Sequence, residues 1–575
     1  MKYLPAILFP FLIALDAQAV EVLVEAESFD DPGGWMVDAQ FIDQMGSPYL
    51  LAHGLGIQVA NAKTTVAFPD TGTYRLWVRT KDWVPSHHPG RFRVAIDGKE
   101  LATEFGTVGD GWVWQDGGLV EVAQQSTTIE LRDLTGFDGR CDALLFTTDS
   151  DFRPPAKPDE SMAEWRRGLL ALPDVPPAGG SFDVVVVGGG VPGCSAALTA
   201  ARLGLRVALV QNRPVLGGNS SSEIGIRPAG LDRSVVTEVV GAKREEVILA
   251  EPNIHLLLGW HAFRVTTEGS RIVSVDAKNT RTSEERRFNA RTLVDCTGDG
   301  WIGYRAGAEY RMGREARDEF DESLAPEKAD RMTHGATLFF KIAIDQWPVP
   351  FPDVPWAREV AGDHLDPVSN HSWEYGHLRD MIGEAEEIRD HLLSAIYGTF
   401  ANVKQKFPQK ASKARLSHVG YVAARGESRR LMGDYILNEN DIRTSRKFPD
   451  AVATGSLVFC LHYPGEKHDF RNKMDLIPVK PYGIPFRCLY SRNIDNLMMA
   501  GRDASATHIA YSSIKLMKTG GHMGVAVGAA AALCKKHRTT PRGVHEKHLE
   551  ELKDIVYERG DYENALAGEV RPRTR

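Results

Sequence analysis

Cysteine is scarce: six in 575 residues, Cys141, Cys194, Cys296, Cys460, Cys488 and Cys534, with no pair spaced CxxC. That density excludes a disulfide scaffold, and the spacing excludes a dithiol relay or a zinc ribbon. An even count still permits disulfides in an exported chain, while Cys194 reads as a small packing residue. After residue 15 no stretch approaches the roughly 18 uninterrupted apolar residues of a membrane span. A basic stripe is missing too, and the net charge of −8 argues against nucleic acid as a partner. Helical periodicity is absent between Val20 and Thr148.

At 575 residues the chain needs two or three cores. Residues 1–19 read as a secretory signal: Lys2, the apolar run Leu4–Leu15, then small residues at Ala17-Gln18-Ala19. The mature protein is therefore expected to be periplasmic or extracellular. Residues 20–150 read as strands, with alternation at 73–80 (TYRLWVRT), 91–96 (RFRVAI) and 127–131 (TTIEL) and a hairpin turn at Asp97-Gly98. This spacing predicts an all-β antiparallel sandwich. Proline and glycine crowd 151–180, a linker with room for one helix over Glu160–Ala171.

The densest motif is Phe182–Gly218. Val184–Val187 suits a strand buried on both faces, followed by Gly188-x-Gly190-x-x-Gly193, a helix over Pro192–Leu203, and a second strand over Arg206–Val210. The glycines permit a sharp turn, close approach of a pyrophosphate, and tight packing of helix on strand. The helix N-terminus would face the phosphates. The second strand should end in an acid for the adenosine ribose; Gln211 stands there, followed by Asn212 and Arg213. Arg213 could alternatively clamp a 2′-phosphate.

Further glycine-rich pieces follow: Gly217-Gly218-Asn219-Ser220, then a meander over Leu256–Thr297 ending in Cys296-Thr297-Gly298-Asp299-Gly300, then Asn496–Gly501 with Arg502-Asp503, then Gly520-Gly521-His522-Met523-Gly524 opening an alanine-rich helix. In this order they resemble the bacterial FAD-dependent oxidoreductases of the glutathione-reductase-like superfamily, over Phe182 to Lys536. The resemblance implies an α/β Rossmann-like FAD-binding domain (181–304 and 486–540) with an inserted α+β substrate domain (305–485), and a C-terminal helical tail (541–575). It implies FAD contacts from Gly188, Gly190, Gly193, Gln211, Gly217, Gly218, Asn219, Ser220, Gly298, Asp299, Gly501, Arg502, Asp503, Gly521 and Met523. The segment 20–150 resembles the jelly-roll carbohydrate-binding modules that open on Glu-Ala-Glu, here Glu25-Ala26-Glu27. That resemblance implies a structural calcium on Glu25, Glu27 and Asp142, and Trp35, Trp83, Trp112 and Trp114 either stack on sugar or fill the sandwich core or the interdomain seam.

Flavin chemistry on an alcohol needs a base for the hydroxyl proton. His508 and His522 lie near the last cofactor strand, and Arg425 could clamp a carboxylate or offset charge on reduced flavin. The expected activity is oxidation of a carbohydrate or polyol hydroxyl, with a small-molecule or glycan substrate and an unidentified electron acceptor. The alternatives are a redox-neutral sugar elimination or cleavage through transient oxidation, or glycan binding without catalysis.

Overall fold

The structure is a computed structural model describing residues 19–558. The expected signal segment lies outside the described residues apart from Ala19, as does 559–575; the described part of the tail is two helices, Pro541–Lys547 and Leu549–Glu558. Among the described residues no helix is long and apolar enough to cross a membrane. All six cysteines are free thiols.

The N-terminal strands form two antiparallel sheets. One holds Glu21–Glu25, Met36–Asp38, Tyr49–Ala52, Gly72–Lys81, Trp112–Val122 and Gly139–Thr147; the other holds Ala62–Ala67, Phe92–Ile96, Lys99–Glu100 and Ser126–Asp133. Inward residues of both, such as Leu76, Leu144, Val94 and Leu131, share one core. The turn at Asp97-Gly98 closes a hairpin with Ile96 opposite Lys99, and both turn residues have positive φ, 47° and 79°.

The second unit is built on Ala178–Val187 (β1), Val191–Arg202 (α1), Val207–Gln211 (β2), Ile254–Leu258 (β3), Trp260–Glu268 (β4), Arg271–Asn279 (β5) and Glu285–Asp295 (β6). Strands β3, β2, β1 and β6 lie parallel in that order. The start of the expected meander, Leu256–Leu258, thus belongs to the parallel sheet; only β4, β5 and β6 meander. Four consecutive valines in β1 make sense in a doubly covered sheet: Val184 and Val186 enter one core, Val185 and Val187 the other. The inserted region contributes the helix Ala385–Lys406 (α2) and a long ribbon, Ala451–Pro464 (β7) with Asn472–Pro485 (β8). The chain then returns through Leu497–Met499 (β9), parallel to β6, and the helices His508–Ile514 (α3) and Met517–His537 (α4).

Helix α4 lies on α1 through glycine. A Cβ on Gly520 would sit 2.8 Å from Pro192 Cγ, on Gly524 2.2 Å from the Pro192 carbonyl oxygen, and on Gly528 2.5 Å from the Ala196 carbonyl oxygen. Spacing by four puts all three on one face, so the backbones meet where side chains would hold them apart.

The two units are joined by a buried charge seam. Arg140 of the sandwich, fully buried, donates to Glu386 Oε1 at 2.6 Å and to both oxygens of Asp390 at 2.6 and 2.9 Å. Lys81 reaches Glu386 Oε2 at 3.0 Å, and Arg389 returns from α2 to Asp38 at 3.0 Å. The expected linker is also docked. Its helix, Glu160–Leu169, packs Trp165 against Trp114 and sends Arg166 to Glu25 and Asp142, while Arg167 pairs with Glu285 on β6.

Gly524→Ala should cost about 1–3 kcal/mol through overpacking, whereas Gly168→Ala, in a helix with open space around it, should gain about 0.5–1 kcal/mol; thermal melts compare the two. Arg140→Ala should cost about 3–5 kcal/mol by stranding Glu386 and Asp390. Despite burial, the adjoining cations hold both carboxyls below the usual carboxylate range. Their contribution is therefore complete above an unfolded carboxylate pKa of about 4 and is lost as pH falls further. Melts across that range should show wild type approaching the variant at low pH.

Candidate functional site

The glycine turn after β1 is shaped from both sides. Gly188 has φ +105°, and a Cβ there would lie 2.2 Å from the Cys296 carbonyl oxygen; one on Gly193 would lie 1.8 Å from the Gly188 carbonyl oxygen. Gly190 differs, because only Pro192 Cδ, at 3.6 Å, stands where its side chain would go. The turn packs where packing is needed and stays open at the helix N-terminus, where backbone amides favour an anion.

A cleft runs from this turn along the C-terminal ends of the parallel strands. Gly188, Gly190, Gly217, Gly218, Asn219, Gly298, Asp299, Gly501 and Arg502 of the expected set line it. Gly217 donates its N–H to the Gly189 carbonyl at 2.7 Å, locking the second glycine pair against the first. Asp295, at the end of β6, accepts from the N–H groups of Ile302 and Gly303 at 2.8 and 3.0 Å, fixing the return loop. The open Gly190, the two interlocked glycine turns and the polar loop beneath them fit the pyrophosphate and ribityl chain of an FAD.

Several expected contacts sit elsewhere. Asp503 is fully buried beside Asp295, and burial followed by that carboxylate pushes it well above the usual carboxylate range. The residue before it, Arg502, turns to the cleft and donates to the carbonyls of Arg425 and Gly426, both at 2.9 Å. Helix α4 begins at Met517, three residues before the expected start, so Met517 and Gly520 line the cleft while Gly521 and Met523 face the core. Gly193 and Ser220 support the turns from behind; Ser220 donates to the Gly217 carbonyl at 2.9 Å. Gln211 lines the cleft, yet its amide accepts from Gly189 N–H at 2.8 Å and donates to the Val215 carbonyl at 3.1 Å. It clamps the glycine turn where the usual acid would face a ribose. Arg213 is paired with Glu223 at 3.3 Å.

Of the three expected catalytic residues, only Arg425 lines the cleft, with its guanidinium 2.7 Å from Asp299. His522 lies inside α4, buried, with Nδ1 on the Thr454 carbonyl at 3.2 Å; burial and then Arg233 lower it to about 4. His508 is buried one layer back, its Nδ1 2.8 Å from Glu427.

The structure adds a cluster that no motif announces. Lys515, between α3 and α4, lines the cleft and places Nζ 2.5 Å from His334 Nδ1 and 3.1 Å from His462 Nε2. Behind them, His462 Nδ1 lies 2.6 Å from Glu374, and His334 packs its ring 5.1 Å from that of His508. Burial lowers Lys515 from the usual ammonium value, outweighing Cys460, Glu374 and Glu427. Two sandwich residues, Gln40 and Asp43, also line the cleft. Gln40 bonds the backbone of Ala423 and Tyr421 at 2.8 and 2.9 Å, and Asp43 bonds His261 at 3.1 Å.

The expected calcium ligands Glu25, Glu27 and Asp142 do come together, with ligand atoms within 4.8 Å of one another. Arg166 fills much of that space, donating to Glu25 at 3.1 Å and to Asp142 at 2.9 Å. Only Glu27 keeps both oxygens buried without a partner, and burial pushes it well above the usual range. The four expected tryptophans are packed: Trp35 and Trp83 are buried, Trp112 donates to Glu386 at 2.9 Å, and Trp114 donates to the Pro155 carbonyl at 3.0 Å.

No curated protein matches the chain. Among solved structures, a geranylgeranyl bacteriochlorophyll reductase-like protein from Thermoplasma acidophilum is 12% identical, covering 66% of this chain and 84% of its own, with a TM-score of 0.30. The myxobacterial chondrochloren halogenase CndH is 13% identical over 64% and 78%, with a TM-score of 0.30. A family 35 carbohydrate binding module from Clostridium thermocellum is 16% identical over 22% and 97%, with a TM-score of 0.19. Residues 183–248 and 235–555 match the model of the family described as FAD dependent oxidoreductase. Matched over more than half its length, and carrying the interlocked glycine turns of that cofactor's cleft, the chain belongs to the FAD dependent oxidoreductase family.

Proposed function

We propose that this enzyme is exported and oxidises a hydroxyl of a carbohydrate or polyol. A bound flavin supplies two-electron redox chemistry; the chain must orient the substrate and remove the hydroxyl proton. The observation that carries this reading is Lys515, an amine on the cleft wall in contact with two imidazoles. Burial favours its neutral form, which can accept a proton. His462 and Glu374 lie behind it to share the charge.

The substrate class is supported by the sandwich, which contributes Gln40 and Asp43 to the cleft wall and is fastened by the Arg140 seam. A module placed there would act in substrate entry as well as attachment. Export rests on the sequence of residues 1–19. For a calcium in the sandwich, the remaining support is the unpartnered carboxylate of Glu27.

Anaerobic mixing of the FAD-loaded protein with sugars and polyols should bleach the flavin's visible absorbance with at least one of them. Lys515→Met should slow that bleaching by about 10²- to 10⁴-fold, and the wild-type rate should rise with pH as the amine loses its proton. Equal rates in variant and wild type would remove Lys515 from the chemistry. Product formed without lasting bleaching or an electron acceptor would favour the redox-neutral cycle.

A further inference from the structure

Five of the six cysteines are buried, and burial raises their thiols, Cys194 and Cys534 to about 12. Such thiols are inert. Cys460 is different in place and in company. It is part-exposed on β7, two residues from His462, and strand alternation puts both side chains on one face. Their partners across the ribbon, Leu476 and Met474, are 59% and 37% exposed, so solvent reaches this edge.

The contacts have an order. Cys460 Sγ lies 3.1 Å from His462 Nε2, and His462 Nδ1 lies 2.6 Å from Glu374 Oε2. Glu374 is buried and accepts from the Gly335 N–H at 2.8 Å and from the Asn472 amide, which fixes its orientation. A carboxylate can only accept, so Nδ1 carries the proton and Nε2 faces both the thiol and the Lys515 amine, each at 3.1 Å. His334 stacks on His462 at 4.6 Å, with its own Nε2 buried and unpartnered.

We propose that Cys460, His462 and Glu374 form a nucleophile, base and orienting acid beside the cleft, and that Cys460 reacts as a thiolate with aldehydes. The arrangement satisfies the geometric signature of an activated nucleophile. Electrostatics agree. Burial opposes ionisation of Cys460, but the His462 hydrogen bond, helped by Lys515 for as long as that amine holds its proton, outweighs it and lowers the thiol. His462 is raised: burial and Lys515 oppose its charge, and Glu374 and Cys460 prevail. The other titratable groups facing this pair are His334, His371 and His377.

The step balances without a further reactant. The thiol proton passes to His462 Nε2; the sulfur pair forms the S–C bond as the carbonyl π pair moves to oxygen. That oxygen takes the proton back from His462, leaving a neutral hemithioacetal, and the reverse sequence releases the aldehyde. The thiolate does not depend on the flavin. The choice of an aldehyde does rest on the hydroxyl-oxidation reading, since oxidising a primary alcohol produces one.

Iodoacetamide labelling of the full-length protein, located by peptide mass spectrometry, tests both parts. An ordinary thiol with a pKa of about 8.5 slows by about fiftyfold between about pH 8.5 and about pH 6.5. Cys460 should slow by less than about tenfold, and His462→Asn should restore the steep profile. Cys460→Ala should abolish the labelling while the circular dichroism and melt stay unchanged. Glyceraldehyde should protect wild-type Cys460, and its dilution should restore labelling. A steep wild-type profile, or one unmoved by His462→Asn, would overturn the triad. A shallow profile without protection would overturn the aldehyde. Neither result depends on whether sugars bleach the flavin.

Discussion

The cleft depends on a helix contact that only glycines permit. Residues in α1 and α4 are more than three hundred positions apart, and nothing local holds them together. Gly520, Gly524 and Gly528 let α4 settle on Pro192 and Ala196 at a separation that any Cβ would forbid. That approach draws Gly501, Arg502 and Lys515 to the turn at Gly190 and closes the cleft from the far side. Dispersion between closely packed backbones is small per atom pair and large in sum. The tolerance for error at such a contact is correspondingly small.

The second constraint is electrostatic. Lys81, Arg140 and Arg389 face Asp38, Glu386 and Asp390 with little water between them. A buried pair of this kind adds little net stability, but losing one partner is expensive. The seam therefore fixes where the sandwich sits more than how firmly. Its position matters because Gln40 and Asp43 reach the cleft only from there. The helix Glu160–Leu169 repeats the device by pinning Glu25 and Asp142 through Arg166 and β6 through Arg167.

Legibility followed the length scale of each constraint. Gly188, Gly190 and Gly193 were readable because a turn writes its steric needs on successive residues, and the four valines of β1 because double burial removes alternation. The Asp97-Gly98 hairpin was equally local. Asp503 misled because motif spacing does not reveal a one-residue shift, and Arg502 holds the position facing the cleft. Gln211, expected just past the strand, is its last residue, and its amide turns to a neighbouring N–H that no pattern specifies. The cluster of Lys515, His334, His462 and Glu374 was invisible because each member comes from a different segment and is unremarkable alone. The tryptophans of the sandwich look like sugar platforms in sequence and serve as packing in the fold.

The interlocked glycine turns are the FAD site. The direct measurement is equilibrium binding of FAD to the purified protein, read by the visible spectrum and by calorimetry, with NADP competing. One FAD should bind per chain, with a flavin spectrum perturbed from that of the free cofactor and no displacement by NADP. A protein that binds NADP in place of FAD, or neither, would contradict that assignment.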